Sequence, residues 1–195
     1  RVLSAVQSRV RACVSLCEGQ YLELDVRDRQ LVTEEDYYQM ISLRSGSLTG
    51  CSAELGALAG GAGESEYLAF HEMGRLLGMA GQIIRDVEET WGANADGITP
   101  SNAINKKKSL PLIHAMETAP VTAKRQLASI YVKRTLDSED LSKIIGILDE
   151  AGSREFAESK AREMADQAMA ALDGFASETR SALDGMAHWA LDGPA

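Results

Sequence analysis

Two carboxylates and a cation fall close together at Arg85, Asp86 and Glu89, and three consecutive lysines follow at Lys106, Lys107 and Lys108. Asp86 and Glu89 are three positions apart, so on a helix they share a face. Carboxylates paired on one face are candidate ligands for a hard divalent cation. Arg85, beside them, is instead suited to grip a phosphate through its planar fork of donors. The lysine run precedes Pro111, a residue favoured at the start of a helix, and cations before a helix N-terminus favour an anion. A cation and a hydroxyl stand together again at Arg44 and Ser45, directly ahead of Gly46. A further polar cluster holds Glu18, Gln20, Glu23 and Asp25, and it reads equally as a solvated helix end or as the lip of a cleft. Taken alone, Arg44 reads as a surface residue and the lysines as a solvated basic run. Their position after an acidic helix end raises the site reading.

The elements that must position these groups read as helices. Val2, Leu3, Val6, Val10, Cys13, Val14 and Cys17 keep a helical period, and the first helix is expected over Val2 to Leu24. Because that pattern is already under way at Arg1, the chain is expected to be incomplete at its N-terminus. Thr33 followed by Glu34, Glu35 and Asp36 is an N-cap signature. It opens a helix that ends at Gly60 to Gly63 and is interrupted by Gly46, Gly50 and Gly56, which point to tight helix contacts or a kink beside a ligand. Ser65 caps the next helix, Glu66 to Trp91, where small residues at Gly74, Gly78 and Gly81 admit a close neighbour. His71 on that helix reads as structural or exposed. A loop is expected from Gly92 to Asn105, then helices over Pro111 to Glu117, Pro120 to Leu136 and Ser138 to Glu150, and a long run from Gly152 through Phe175 toward Trp189. Nothing alternates at period two, so no sheet is expected, and neither a repeat nor a second domain is visible over 1–195.

Composition agrees with this. Hydrophobic residues make up 45% and aromatics 5%, a diet of Ala, Leu, Ile and Met that suits packed helices. The net charge of −9 argues against a nucleic-acid surface. No apolar run approaches the roughly 20 residues that span a bilayer, so no transmembrane segment is expected, and no signal peptide is visible. Cys13, Cys17 and Cys51 make an odd count without a zinc pattern; buried small residues in a reducing, cytoplasmic interior are the expectation.

In order along the chain, these blocks resemble the trans-isoprenyl (polyprenyl) diphosphate synthases. Glu18 to Leu24 is similar to the family's GQ-x-x-D block, with Glu23 at the usual Asp. Met40 to Gly46 is similar to M-I-x-x-K-T-G, with Arg44 and Ser45 for Lys-Thr. Gly74 to Trp91 resembles the second aspartate-rich motif, G-x-x-L-G-x-A-F-Q-I-x-D-D-x-x-x-x-W. Asn102 to Pro111 resembles D-x-x-x-x-K-x-T-L-P, with Lys107 at the diphosphate-binding lysine. The resemblance implies an all-α fold of long helices around a central cavity, in one domain whose N-terminal helices lie upstream, and commonly a homodimer. It implies condensation of an allylic diphosphate with isopentenyl diphosphate, with Mg²⁺ bridging the diphosphate to two aspartate-rich segments. Carried over by motif, Arg44 and Gln82 are the catalytic candidates; Gln20, Arg44, Ser45, Arg85 and Lys107 are the substrate-binding candidates; and Asp86 and Glu89 are the metal ligands.

The departures from the pattern are as informative. The first aspartate-rich motif with its paired arginines is absent, and in the family it lies upstream of the GQ block. The opening Asp of the second motif is Arg85, the Phe before Gln82 is Gly81, and the Asp ahead of the lysines is Asn102. The changes at 85 and 102 make this wall more positive, so a weakened Mg²⁺ site is expected on this half, with Arg85 replacing a metal-held diphosphate contact by a direct one. The loss of a ring at Gly81 hints at extra room in the cavity. The expected function is a prenyltransferase of isoprenoid biosynthesis or a relative that ionises a prenyl diphosphate. The alternative is a non-catalytic regulatory subunit paired with an active synthase, as a homodimer or heterodimer respectively.

Overall fold

The computed structural model describes residues 1–29, 31–92 and 101–192, and among them every regular element is helical. The chain forms α1 (Val2–Asp28), α2 (Glu34–Ile41), a π-helical turn (Ser42–Gly46), α3 (Ser47–Gly60), α4 (Glu64–Trp91), α5 (Ser101–Ile104), α6 (Leu110–Thr118), α7 (Val121–Val132), α8 (Ser138–Glu150), α9 (Ser153–Ala170) and α10 (Ser177–Asp192). Residues 93–100 of the expected loop lie outside the described residues.

α4 is the axis of the molecule. It packs on α3 and the π turn on one side, on α9 and α10 on another, and touches α2, α5 and α6 near its C-terminal end. Its buried residues serve two core clusters. Met73, Leu76 and Leu77 meet Ala165, Ala168 and Leu172 of the C-terminal helices, and Met79, Ala80, Ile83 and Val87 meet Tyr37, Met40, Ile41, Leu110 and Ile113. Trp91 reaches a third cluster built by α6, α7 and α8 around Leu127, Ile144 and Leu148. Helices of this length are marginal in isolation and gain most of their stability from such tertiary burial, at about 25 cal/mol per Å² of apolar area.

Close approach of α3 to α4 depends on two of the small residues. A Cβ at Gly74 would lie 2.7 Å from the Thr49 carbonyl oxygen, and one at Gly78 would overlap Thr49 Oγ1 and sit 2.6 Å from the Ser45 carbonyl oxygen. Gly81 differs: a Cβ there would meet only the Ala190 carbonyl of α10, at an ordinary contact distance of 3.7 Å.

A buried carboxylate ties three helices. Glu54, 1% exposed, accepts hydrogen bonds from Ser8 Oγ at 2.7 Å and Arg11 at 3.1 Å. His71 Nδ1 stands 2.9 Å from the same carboxylate without an aligned hydrogen bond. The partner of His71 therefore comes from α3, not from its own helix.

Several boundaries move from their expected places. α1 runs four residues past Leu24, to Asp28. α4 starts at Glu64, where the Glu66 carboxylate accepts the Gly63 N–H at 2.7 Å, so Ser65 is inside the helix. α7 stops at Val132 instead of Leu136, and the C-terminal run breaks at Gly174, whose φ of +94° is left-handed. Cys13 and Cys17 are exposed, and only Cys51 is buried. They lie on a helix whose apolar outer residues Val6, Val10 and Val14 are also more than half exposed.

Candidate functional site

Where α1, the π turn, α4 and the segment after α5 converge, they enclose a cavity of about 360 Å³ lined by Glu23, Arg27, Arg44, Gln82, Arg85, Glu89, Asn102, Asn105 and Lys107. α1 reaches it because position 19 is glycine: a Cβ there would stand 2.6 Å from Arg44 Cγ and 3.0 Å from Leu43 Cβ. One turn on, Glu23 Oε2 pairs with Arg44 at 2.7 Å, and a further turn brings Arg27 to the rim.

The π turn sets the register of Arg44 and Ser45. Its wider winding leaves carbonyls that the neighbouring hydroxyls take up: Ser47 Oγ donates to the Leu43 carbonyl at 2.6 Å and Thr49 Oγ1 to the Ser45 carbonyl at 2.6 Å. Adjacent residues then face the same site. Arg44 turns to Glu23, while Ser45 Oγ donates to Gln82 Oε1 at 2.9 Å. The other end of that amide, Gln82 Nε2, donates to Asp86 Oδ1 at 3.0 Å, so its orientation is fixed at both ends.

Asp86 is fully buried behind the cavity wall. Its Oδ1 also accepts Lys107 Nζ at 2.7 Å, and its Oδ2 accepts the Tyr37 hydroxyl at 2.9 Å. Burial, and then the charge of Asp86, push the Tyr37 hydroxyl well above its usual pKa, so it stays a donor. Asn102 completes the support, donating through Nδ2 to the Asp86 backbone carbonyl at 2.9 Å and to Thr90 Oγ1 at 3.3 Å.

Lys107 is delivered by the closure of α5. Lys107 N–H donates to the Asn102 carbonyl at 2.9 Å and Lys106 N–H to the Ala103 carbonyl at 3.1 Å, the paired bonds of a Schellman motif. Lys106 takes the left-handed position with φ 53°, and its Nζ donates to the Lys133 carbonyl. Beyond it Lys107 turns to Asp86, and Lys108 turns away to the ring of Tyr131.

The lining therefore carries four cations, Arg27, Arg44, Arg85 and Lys107, against the carboxylates of Glu23 and Glu89. Arg27 and Arg85 carry no carboxylate partner among the described residues, which suits the oxygens of a phosphate. The donor set does not fit a resident Mg²⁺. Mg²⁺ takes near-octahedral oxygen ligands, whereas both oxygens of Asp86 are taken by Lys107, Gln82 and Tyr37. Glu89 is left as the single accessible carboxylate of the pair, with Lys107 Nζ 3.6 Å away. Among the described residues no three His, Cys, Asp or Glu side chains gather in a metal-holding group. Lys107 Nζ lies between the two expected ligands, 2.7 Å from Asp86 and 3.6 Å from Glu89.

Of the residues singled out in the sequence, Arg44, Gln82, Arg85, Glu89 and Lys107 line the cavity together. Asp86 stands behind them, and Ser45 acts on Gln82 without lining the space. Gln20 is exposed on α1 and does not line it; the inner face of that helix presents Gly19 and Glu23. Arg27, Asn105 and Tyr37 were not legible as site residues. Arg27 lies four positions after Glu23, one turn beyond the expected helix end, and a buried tyrosine hydroxyl calls for a polar partner, which is the signal that would have joined Tyr37 to Asp86.

Comparison with known proteins identifies the family. A profile of the polyprenyl synthetase family matches residues 1–148. The chain is 30% identical over 179 residues to the geranylgeranyl diphosphate synthase of Methanosarcina mazei, covering 89% of this chain and 52% of that protein. It is 30% identical over 200 residues to the short chain isoprenyl diphosphate synthase of Methanothermobacter thermautotrophicus, covering 98% and 59%. The crystal structure of the geranylgeranyl pyrophosphate synthetase of Pyrococcus horikoshii superposes with a TM-score of 0.88 at 29% identity, covering 98% of this chain and 59% of that one. The chain thus spans between half and three fifths of the length of these relatives.

Proposed function

The chain belongs to the polyprenyl synthetase family, and we propose that its cavity holds the diphosphate of an isoprenoid substrate during prenyl transfer. The observation that carries this reading is the excess of cations over carboxylates around Lys107. The reaction in view joins an allylic diphosphate to isopentenyl diphosphate. Its difficult step separates a diphosphate leaving group from an allylic carbocation, so positive charge at the leaving oxygens lowers the barrier. On this wall that charge comes from the chain itself. Arg85 and Arg27 grip the outer oxygens, and Lys107 supplies a fixed ammonium; Arg44, steered by Glu23, closes the α1 side. Gln82, locked between Ser45 and Asp86, presents its amide to the cavity.

A second reading is favoured by the same sequestration of Asp86: a subunit that binds prenyl diphosphate and supports an active synthase. Either reading calls for a partner surface. The exposed apolar residues Val2, Leu3, Val6, Val10 and Val14 of α1 would serve a homodimer or a heterodimer with a related chain. We take residues 1–195 as one isoprenoid-synthase unit acting in the cytoplasm; among the described residues no helix is long and apolar enough to cross a membrane, and the thiols are free.

The test is incubation of the purified native protein with an allylic diphosphate and radiolabelled isopentenyl diphosphate, with and without Mg²⁺, alone and with an active family member. Labelled prenyl product from the protein alone supports the enzyme. Product only as stimulation of the partner supports the subunit. Absence of both, together with no binding of inorganic diphosphate, would falsify the reading.

A further inference from the structure

A second, larger cavity lies beside the Lys107 site. About 530 Å³ lies between the end of α1, the segment before α2, and helices α6 and α7. That volume is in the range of small-molecule sites, about 300–1,000 Å³. Its floor is apolar and firmly packed: Leu112, Ile113 and Leu127 are between 0% and 4% exposed. Its rim is basic, with Arg27, Arg29 and Lys108, and one exposed carboxylate, Asp28. These cations are not equivalent. Arg29 is already engaged by Asp25 at 2.5 Å and Asp36 at 2.9 Å. Arg27 and Lys108 have no carboxylate partner among the described residues.

Lys108 is the unusual member. It is half-buried, with Nζ 5.5 Å from the centroid of the Tyr131 ring as its one described contact. Burial lowers its pKa, the mark of an ammonium that has given up water without gaining a counter-charge. The two lysines divide the labour: Lys107 serves the cavity at Asp86 and Lys108 the apolar one. Arg27 lines both.

We propose that this cavity is a second binding site, for a small phosphorylated amphiphile whose head meets Arg27 and Lys108 and whose hydrocarbon tail lies among Leu112, Ile113, Met116, Leu127 and Tyr131. A free phosphate would leave the apolar floor bare, and a neutral hydrocarbon would leave Lys108 without a counter-charge. An amphiphile satisfies both. The head and tail could come from an isoprenoid diphosphate or from a simple alkyl phosphate. The site stands apart from the reading of the Lys107 cavity, although it shares Arg27 with it.

Calorimetric titration of the native protein in EDTA tests this with geranyl diphosphate, octyl phosphate and inorganic diphosphate as probes. Two equivalents of geranyl diphosphate are expected per chain, but one of inorganic diphosphate. Lys107→Met should remove the inorganic diphosphate equivalent and spare the tail-dependent one. Lys108→Met should weaken the tail-dependent equivalent by roughly 10- to 100-fold, the worth of one charge-assisted hydrogen bond. Ala128→Trp, at an exposed position on the cavity wall, should abolish it by filling the space. Competition by octyl phosphate for that equivalent assigns the site to alkyl phosphates in general; failure to compete assigns it to isoprenoid diphosphates. The proposal is overturned if no equivalent of geranyl diphosphate in the unaltered protein depends on its tail, or if every equivalent is indifferent to both Lys108→Met and Ala128→Trp. If inorganic diphosphate does not bind but the tail-dependent equivalent behaves as stated, the Lys107 reading fails and this one stands.

Discussion

Replacing Asp86 by Asn separates two accounts of the α4 wall, because they give opposite signs. If Asp86 held a metal, the change would weaken diphosphate binding. In this structure Asp86 instead competes for Lys107, whose Nζ it holds at 2.7 Å. Asn keeps the shape, and its carbonyl oxygen accepts from Gln82 and Lys107 as before; the bond to Tyr37 reverses, the new amide donating to a hydroxyl that loses the acceptor for its own proton. The charge and that one donated bond are lost. A freed ammonium could give diphosphate one charge-assisted hydrogen bond, about 1.5–3 kcal/mol. Lys107 is already 23% exposed and part of that is available beforehand. The lower end is therefore appropriate, about tenfold tighter binding of inorganic diphosphate.

The stability effects should be unequal. Asp86→Asn removes a buried charge with its partners kept, at a cost of about 1–2 kcal/mol. Lys107→Met leaves the carboxylate buried with only Gln82 and Tyr37. Removing one member of a buried pair costs about 3–5 kcal/mol, and the partial exposure of Lys107 lets water in and reduces this to about 2–3. Titration calorimetry in EDTA gives the binding, and urea denaturation gives the stability. Binding that falls tenfold or more in Asp86→Asn, or that requires Mg²⁺ in the unaltered protein and loses that requirement in the variant, refutes the reasoning.

Lys106 holds a left-handed φ of 53°, which costs a non-glycine residue about 1–2 kcal/mol. Lys106→Gly should raise stability by about 0.5–1 kcal/mol after loss of the contact to Lys133, read as a thermal midpoint a few degrees higher; a lower midpoint contradicts the assignment of the turn. Gly78→Ala should destabilise by about 1–3 kcal/mol through overlap with Thr49 and the Ser45 carbonyl, and Thr49→Ala in the same chain should restore part of the loss; no restoration would show that Thr49 is not the obstacle. His114 has its pKa lowered from 6.5 chiefly by burial, stacked 4.1 Å from the Phe156 ring. The unfolded chain then binds more protons, so this contribution is full above about pH 6.5 and is lost as pH falls through the lower folded value. His114→Gln should flatten the stability curve in that window, and an unchanged slope from pH 7 to 5 would count against it.

Much of this was legible in the sequence wherever a residue type restricts its own environment. The apolar period of α4 located its buried side, and the capping signature at Thr33 is realised by Asp36 accepting from the Thr33 N–H at 3.0 Å. The kink expected from Gly46 appears as the π turn, but no composition rule gives the change of register that turns both Arg44 and Ser45 toward the site. Periodicity also says which residues share a face, not whether that face is covered. Cys13 and Cys17 lie on the outer side of α1 beside exposed valines, and were expected inside for that reason. The difference between Gln20 and the residues that reach the cavity is one of rotation: each step along a helix turns it by about 100°, so an α1 that presents Gly19 and Glu23 carries Gln20 outward.

The departures at positions 85 and 102 support one another rather than reading as independent losses. Asn102 is 3% exposed and its amide donates to the Asp86 carbonyl and to Thr90 Oγ1. An ionised aspartate there has only acceptors, and would set a carboxylate against that carbonyl. The amide is thus what permits α5 to dock against α4, and docking is what brings Lys107 to Asp86. With Asp86 neutralised from beneath, the exposed guanidinium of Arg85 is left to dominate the charge at the cavity. A wall that had merely lost its ligands would retain unpaired buried carboxylates. Here the one buried carboxylate of the wall is satisfied by an ammonium, an amide and a hydroxyl, and the accessible charge has become cationic. That coherence is the physical support for the proposal that this wall binds an anion directly.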